Sequence, residues 1–204
     1  SVFESVEGVK ELMANPLITS ARLVVNPEKM VIDEARRTYS YLGLFGYGVD
    51  GVVVNRVLPD LVRDPYFERW RAIQKGHLDA IDDAFAEVPR LRLRLFDDEM
   101  VGVERLRIMA EELYGDSDPI DDFDATSPFR VVEDGDSVTM ELDVPFFEKT
   151  DLDVFRHGHE LYIQLGSYRR SFVLPDALHR RVITKAKLDG GTLRVAFGKR
   201  ETGN

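Results

Sequence analysis

Apolar and polar positions follow two different rhythms along this chain. Up to about residue 115, short apolar runs alternate with stretches of helical spacing. ARLVV (21–25) and VVVN (52–55) are runs suited to strands covered on both faces. Between them, Met30, Ala35, Tyr39 and Leu42 are inward candidates of a helix running to about Leu42. Asn26-Pro27-Glu28 supplies a cap residue, a proline at the first helical position and an acid in the first turn. Strand, helix, strand over residues 21–55 predicts a βαβ unit with parallel, neighbouring strands. Glu4 to Met13 reads as a helix on the spacing of Val6, Val9 and Met13. Asp64-Pro65 opens another, with Phe67, Trp70, His77, Ile81 and Phe85 on one face. RLRLRLF (90–96) alternates like an exposed-edge strand. Glu99 to Tyr114 predicts a closing helix, striped by Val103, Leu106, Ala110 and Leu113 and capped by Gly115.

From Pro128 the period becomes two. VTMELDV (138–144), DLDVF (151–155), ELYIQL (160–165), RRSFVL (169–174), RVITKAKL (181–188) and TLRVAF (192–197) predict short strands separated by Gly-containing turns. Such spacing without a long helix argues for an antiparallel β-sandwich. The stretch between the halves, DSDPIDDFDATS (116–127), carries five aspartates and no base. It reads as a solvated acidic linker, since the glycine and glutamate of an EF-hand loop are missing. The fold class expected is α/β plus all-β, in two domains.

Composition narrows the chemistry. The 204 residues carry a net charge of −10, which argues against nucleic acid as a partner. There is no cysteine. Disulfides, thiolate metal sites and a cysteine nucleophile are excluded together, and the absence fits a reducing cytosol. No apolar run approaches the roughly 20 residues that span a bilayer, so the chain is not expected to be transmembrane. It opens at Ser1, which leaves open a removed initiator or sequence upstream.

Gly46, Gly48 and Gly51 spell G-x-G-x-x-G, yet a helix precedes them and a strand follows. That order reverses the dinucleotide motif, in which the glycines open a helix whose N–H groups face the pyrophosphate. The glycines are better read as ending the helix in left-handed geometry and entering the strand tightly. A P-loop, G-x-x-x-x-G-K-[ST], is absent from the chain. Ligands of parallel sheets bind beyond the strands' carboxyl ends, here Asn26-Pro27-Glu28 and Asn55-Arg56. On spacing alone, Asn55 could equally tie down a loop. Arg90, Arg92 and Arg94 share one strand face, as a guarded edge or as a surface for phosphate or acidic groups. His157-Gly158-His159 is explained by a hairpin, and no metal is expected there. His77 reads as a satisfied, partly buried histidine. Met30, Met100 and Met109 are too scattered for a client-binding stripe.

LVVNPEKMVIDEARRTYSYLGLFGYGVDGVVVNRVLP, followed by LFDDEMVGVERLRIMAEELYG, resembles the C-terminal part of the ArsA family. That family comprises the arsenite-pump ATPases and the ATPases that deliver tail-anchored membrane proteins. The resemblance runs through residues 20–115. LDVPF (142–146), ELYIQLGSYRRSFVLP (160–175) and AKLDGGTLRVAF (186–197) resemble the small-heat-shock-like, α-crystallin-like sandwich appended to some bacterial members. The resemblance implies a partial P-loop-type α/β domain without its P-loop (1–115), an acidic linker (116–127), the sandwich (128–200) and a tail (201–204). It implies a cytoplasmic ATPase that homodimerises around ATP and Mg, with a membrane-protein or other client as partner. Asn55 occupies the family's adenine-contacting asparagine, and Leu95, Phe96 and Asp97 its further adenine-side contacts. The family often has V-P-L-F there, and Arg94 replaces that proline.

The family's P-loop lysine, catalytic aspartates and switches lie in an N-terminal portion that this sequence does not include. Hydrolysis by the chain alone is therefore not expected, nor tight nucleotide binding, and no catalytic residue is assigned. Without cysteine, neither the metalloid thiolates of an arsenite pump nor the zinc pair of the eukaryotic targeting factors is present. A different reading makes the chain an ATP-independent holdase or interaction module. The apolar arm and Ile-x-Ile tail that such proteins carry are missing. A stand-alone protein that has lost its P-loop is a third.

Overall fold

The computed structural model describes residues 15–120, 123–135 and 137–199, together with residues 8, 9, 12 and 13, which are helical. The remainder of the expected Glu4–Met13 helix lies outside the described residues. Contacts divide the chain into two compact units. One gathers residues 16–36 and 49–126, the other the described residues of 1–15, 37–48 and 127–199.

The first unit is built on a three-stranded parallel sheet in the order β1 (Ala21–Val25), β2 (Val49–Val57), β3 (Arg90–Arg94). The βαβ expectation holds: α1 (Lys29–Phe45) connects β1 to β2. The helix begins at Lys29 rather than at Pro27, because Glu28 offers the first carbonyl, to Ile32 N–H at 2.9 Å. Val25, Val52 and Val54 are fully buried, as runs covered on both faces should be. In α2 (Pro65–Ala84), Asp64 caps the helix by accepting Tyr66 N–H at 2.8 Å, and Pro65 takes the first helical position. Ile81 and Phe85 are buried. Several expected inward residues are not: Met30 is 83% exposed, Trp70 55%, Val103 73% and Leu106 47%. The stripe on α3 (Val103–Tyr114) buries none of its residues. Gly115 ends α3 with φ 58°, as its position suggested.

Phe123 is buried, its ring 6.1 Å from Tyr114 and 4.4 Å from the Arg22 guanidinium. The stretch after α3 is thus pinned at an aromatic residue rather than solvated throughout.

The second unit is antiparallel. One sheet runs β4 (Phe129–Asp134), β5 (Ser137–Asp143), β10 (Thr192–Lys199), β9 (Arg181–Asp189). The other runs β6 (Leu152–His157), β7 (Glu160–Leu165), β8 (Tyr168–Val173). A one-turn helix, α4 (Asp176–His179), enters β9. Alternate residues of β5, β7 and β10 form one core: Val138, Met140 and Leu142; Leu161, Ile163 and Leu165; Leu193, Val195 and Phe197. Leu44, from the last turn of α1, belongs to that core.

The glycine cluster is structural. Gly46 has φ 86°, Tyr47 N–H reaches Leu42 carbonyl at 2.8 Å and Gly46 N–H reaches Gly43 carbonyl at 2.9 Å, the paired bonds of a Schellman end. A Cβ on Gly43 would stand 2.6 Å from the Asp143 carbonyl oxygen.

Candidate functional site

The carboxyl end of β2 is irregular. Its ladder with β3 is regular through Val54 opposite Arg92 and resumes at Val57 opposite Arg94, so Asn55 and Arg56 form a bulge. Arg56 has φ 58°, the one positive value on a non-glycine among the described residues. Residues held in such conformations concentrate at functional sites.

Beside this bulge lies a cleft of about 670 Å³. Asn55, Leu95, Phe96 and Asp97, the four residues singled out from the sequence, all line it, with Arg56 and Met109. They come from two segments some 40 positions apart, joined where Leu95 N–H donates to the Val57 carbonyl at 2.8 Å. Among the described residues, none hydrogen-bonds the Asn55 side-chain amide. Its amide can offer one acceptor and two donors to the cleft. Phe96 supplies a half-buried ring and Leu95 an aliphatic wall. The lining chemistry suits a flat, apolar-faced heterocycle with polar edges.

Arg94 shapes one wall. Its Nε donates to Glu112 Oε2 at 2.7 Å, and its guanidinium lies 4.8 Å from the Phe96 ring centroid. The other arginines of β3 are also engaged. Arg90 and Arg92 both reach Asp82, at 3.2 and 2.5 Å. Three guanidinium groups on an edge strand are thus paired within their own unit. Being partly exposed, these pairs each add little to stability, on the order of 1 kcal/mol or less.

His77 is half-buried and shares a second cleft, of about 500 Å³, with Arg56, Trp70 and Gln74. Gly158 and His159 form the β6–β7 turn after His157, the last residue of β6, with Gly158 at φ 59°, and the His159 ring lies 3.9 Å from that of His179. Among the described residues, no group of three or more histidine or carboxylate side chains is gathered to hold a metal ion. No described helix is long and apolar enough to cross a membrane.

The sequence reading missed Gln74 and Glu112. Both act through tertiary contacts with backbone or side chains well separated in sequence, which leave no periodic signal.

Proteins named "Putative arsenical pump-driving ATPase" in Prosthecochloris vibrioformis and Chlorobaculum tepidum are 36% identical over 177 residues, covering 87% of this chain and 44% of their own length. ATPase GET3 of Zygosaccharomyces rouxii is 28% identical over 120 residues, covering 57% of this chain and 34% of its own. The chain spans about half the length, or less, of these relatives. The family model of the anion-transporting ATPases, ArsA, matches residues 1–115, and that of the HSP20-like domain found in ArsA matches residues 135–197. The chain belongs to the ArsA ATPase family and carries its HSP20-like domain.

Proposed function

We propose that this chain is the C-terminal portion of an ArsA-like anion-transporting or protein-targeting ATPase and forms the adenine side of its nucleotide site. The convergence of Asn55 and Leu95–Asp97 on one cleft, with the Asn55 amide unengaged, carries this reading. Residues 1–115 are then a partial ATPase domain, 116–127 its connection, 128–200 the appended sandwich and 201–204 a tail. The edge of β1 that faces away from β2 is unpaired among the described residues, and it offers a template for further strands of a parallel sheet. The exposed stripe of α3 fits the same picture.

The phosphates and Mg are held elsewhere in the parent protein, because this sequence has no P-loop. The chain by itself is not hydrolytic, because its sequence has no P-loop to neutralise charge developing on the γ-phosphate. The complete protein is a cytoplasmic homodimer with a membrane-protein or anion-handling client.

Titration of the 204-residue chain with adenosine and with ATP, followed by amide NMR, tests the reading. Both ligands should shift Asn55 and Leu95–Asp97 with similar, roughly millimolar affinity, because only the base is recognised. N55A should abolish the shifts. The reading fails if those resonances do not move, or if the chain releases phosphate from Mg-ATP in a way N55A removes.

A further inference from the structure

We infer that Gln74 is a positioning residue for this cleft: it holds the left-handed turn at Arg56 and so keeps Asn55 opposite Leu95–Asp97. The inference rests on the adenine-side reading for its ligand, though not for its geometry. At the bulge, β2 loses the ladder bonds that would satisfy its backbone; the part-buried Leu58 N–H needs a replacement, whereas the Arg56 carbonyl lies at the surface. One side chain reaches both. Gln74 Oε1 accepts the Leu58 N–H at 2.8 Å, and its Nε2 donates to the Arg56 carbonyl at 3.4 Å. These groups lie at and just after the bulge, on the α2 side, while the Leu95 N–H on the Val57 carbonyl holds the same stretch from the β3 side.

Arg56 does not fix its own turn. Its guanidinium pairs with no side chain among the described residues, and a φ of 58° is disfavoured for any residue with a Cβ. The strain must be held from outside, and Gln74 is the group in place to do so. The residue type follows: the clamp needs one donor and one acceptor on a single planar head. Glutamate lacks the donor when ionised, leucine lacks both, and asparagine is one methylene short.

The test uses Q74L, R56G and their combination in the 204-residue chain. Scalar couplings give φ at residue 56, contacts between Asn55 and Leu95 are read by NOE, and adenosine affinity by titration. Q74L should move residue 56 out of the left-handed region, weaken the Asn55–Leu95 contact and lower adenosine affinity about tenfold, the scale of one to two hydrogen bonds. Glycine adopts positive φ without penalty, so in the R56G background the same Q74L change should cost less than about twofold. A structural role unrelated to the turn would cost the same in both backgrounds.

The proposal is overturned if Q74L leaves φ at residue 56 and the Asn55–Leu95 contact unchanged, or if R56G does not reduce its cost. Should the unmodified chain fail to bind adenosine, the nucleotide reading falls. The ligand-free couplings and NOEs still decide the role of Gln74.

Discussion

Asp50 shows how much one residue inside an unremarkable stretch can carry. It sits in the glycine-rich segment, 3% exposed, and accepts from Arg22 Nε at 3.0 Å, Arg22 Nη2 at 2.8 Å and Ser20 Oγ at 2.6 Å. Arg22 also donates to the Tyr114 hydroxyl at 3.1 Å, and its pKa is raised above its usual value chiefly by the hydrogen bonds to Asp50. One guanidinium therefore links β1, β2 and the end of α3. Removing it leaves a buried carboxylate uncompensated, which costs far more than the pair is worth relative to apolar residues. R22M should lower stability by about 3–5 kcal/mol in urea denaturation, and adding D50L should recover most of it. A loss under about 1 kcal/mol for R22M would mean that Asp50 finds water in place of its partner. An arginine in the apolar run ARLVV and an aspartate before VVVN were the visible hint. Their partnership was not, because nothing periodic links positions 28 apart.

Elements were legible in proportion to how strictly burial alternates along them. β7 was read to the residue, as its buried Leu161, Ile163 and Leu165 alternate with half-covered neighbours. β4 escaped notice: FRVVED exposes Val131 and Val132 by about half, so no alternation marks it. That strand nevertheless helps build an electrostatic ladder. Glu141 of β5 lies opposite Arg130 of β4 and Arg194 of β10, with Arg194 Nε at 2.8 Å and Arg130 Nε at 3.6 Å. Opposite charges across paired strands support the register. The hydrogen bond from Arg194 is the main cause holding the Glu141 pKa below its ordinary value of 4.5. A carboxylate depressed in the folded state contributes stability above its unfolded pKa and loses it as pH falls through the folded one. The sandwich should therefore weaken progressively below about pH 4.5, with Asp189, lowered from 3.8 by Lys187, adding to the slope at still lower pH. E141Q should remove its share, flattening urea midpoints measured between pH 5 and 3. Parallel curves for the two proteins would rule Glu141 out.

Across the whole molecule, the change of rhythm at residues 116–127 separated α/β grammar from β grammar but gave no sign that residues 37–48 pack with the β-strands. Those twelve residues are tied in by contacts about 100 positions apart. Leu44 is fully buried in the sandwich core. Phe146 N–H reaches Ser40 Oγ at 3.3 Å, and Arg170 Nη1 donates to the Leu44 carbonyl at 2.6 Å. Burial lowers the Arg170 pKa, so its charge is held in a desolvated spot where that helix-end carbonyl and the Phe172 ring, 4.4 Å from the guanidinium, compensate it. An excised 128–200 fragment would expose the surface Leu44 covers and strand the Arg170 guanidinium. The fragment should then melt well below the sandwich in the 204-residue chain, or fail to show a cooperative transition by circular dichroism. L44A in the 204-residue chain isolates the packing part: deleting a fully buried leucine side chain costs about 2–5 kcal/mol, depending on how far the site collapses. If the fragment is unstable and L44A costs little, the Arg170 bond to the helix end is the larger contribution, and R170M in the 204-residue chain should reproduce the fragment's loss. If the fragment melts like the 204-residue chain, residues 37–48 merely rest on a sandwich that folds without them, and both mutations should be close to neutral.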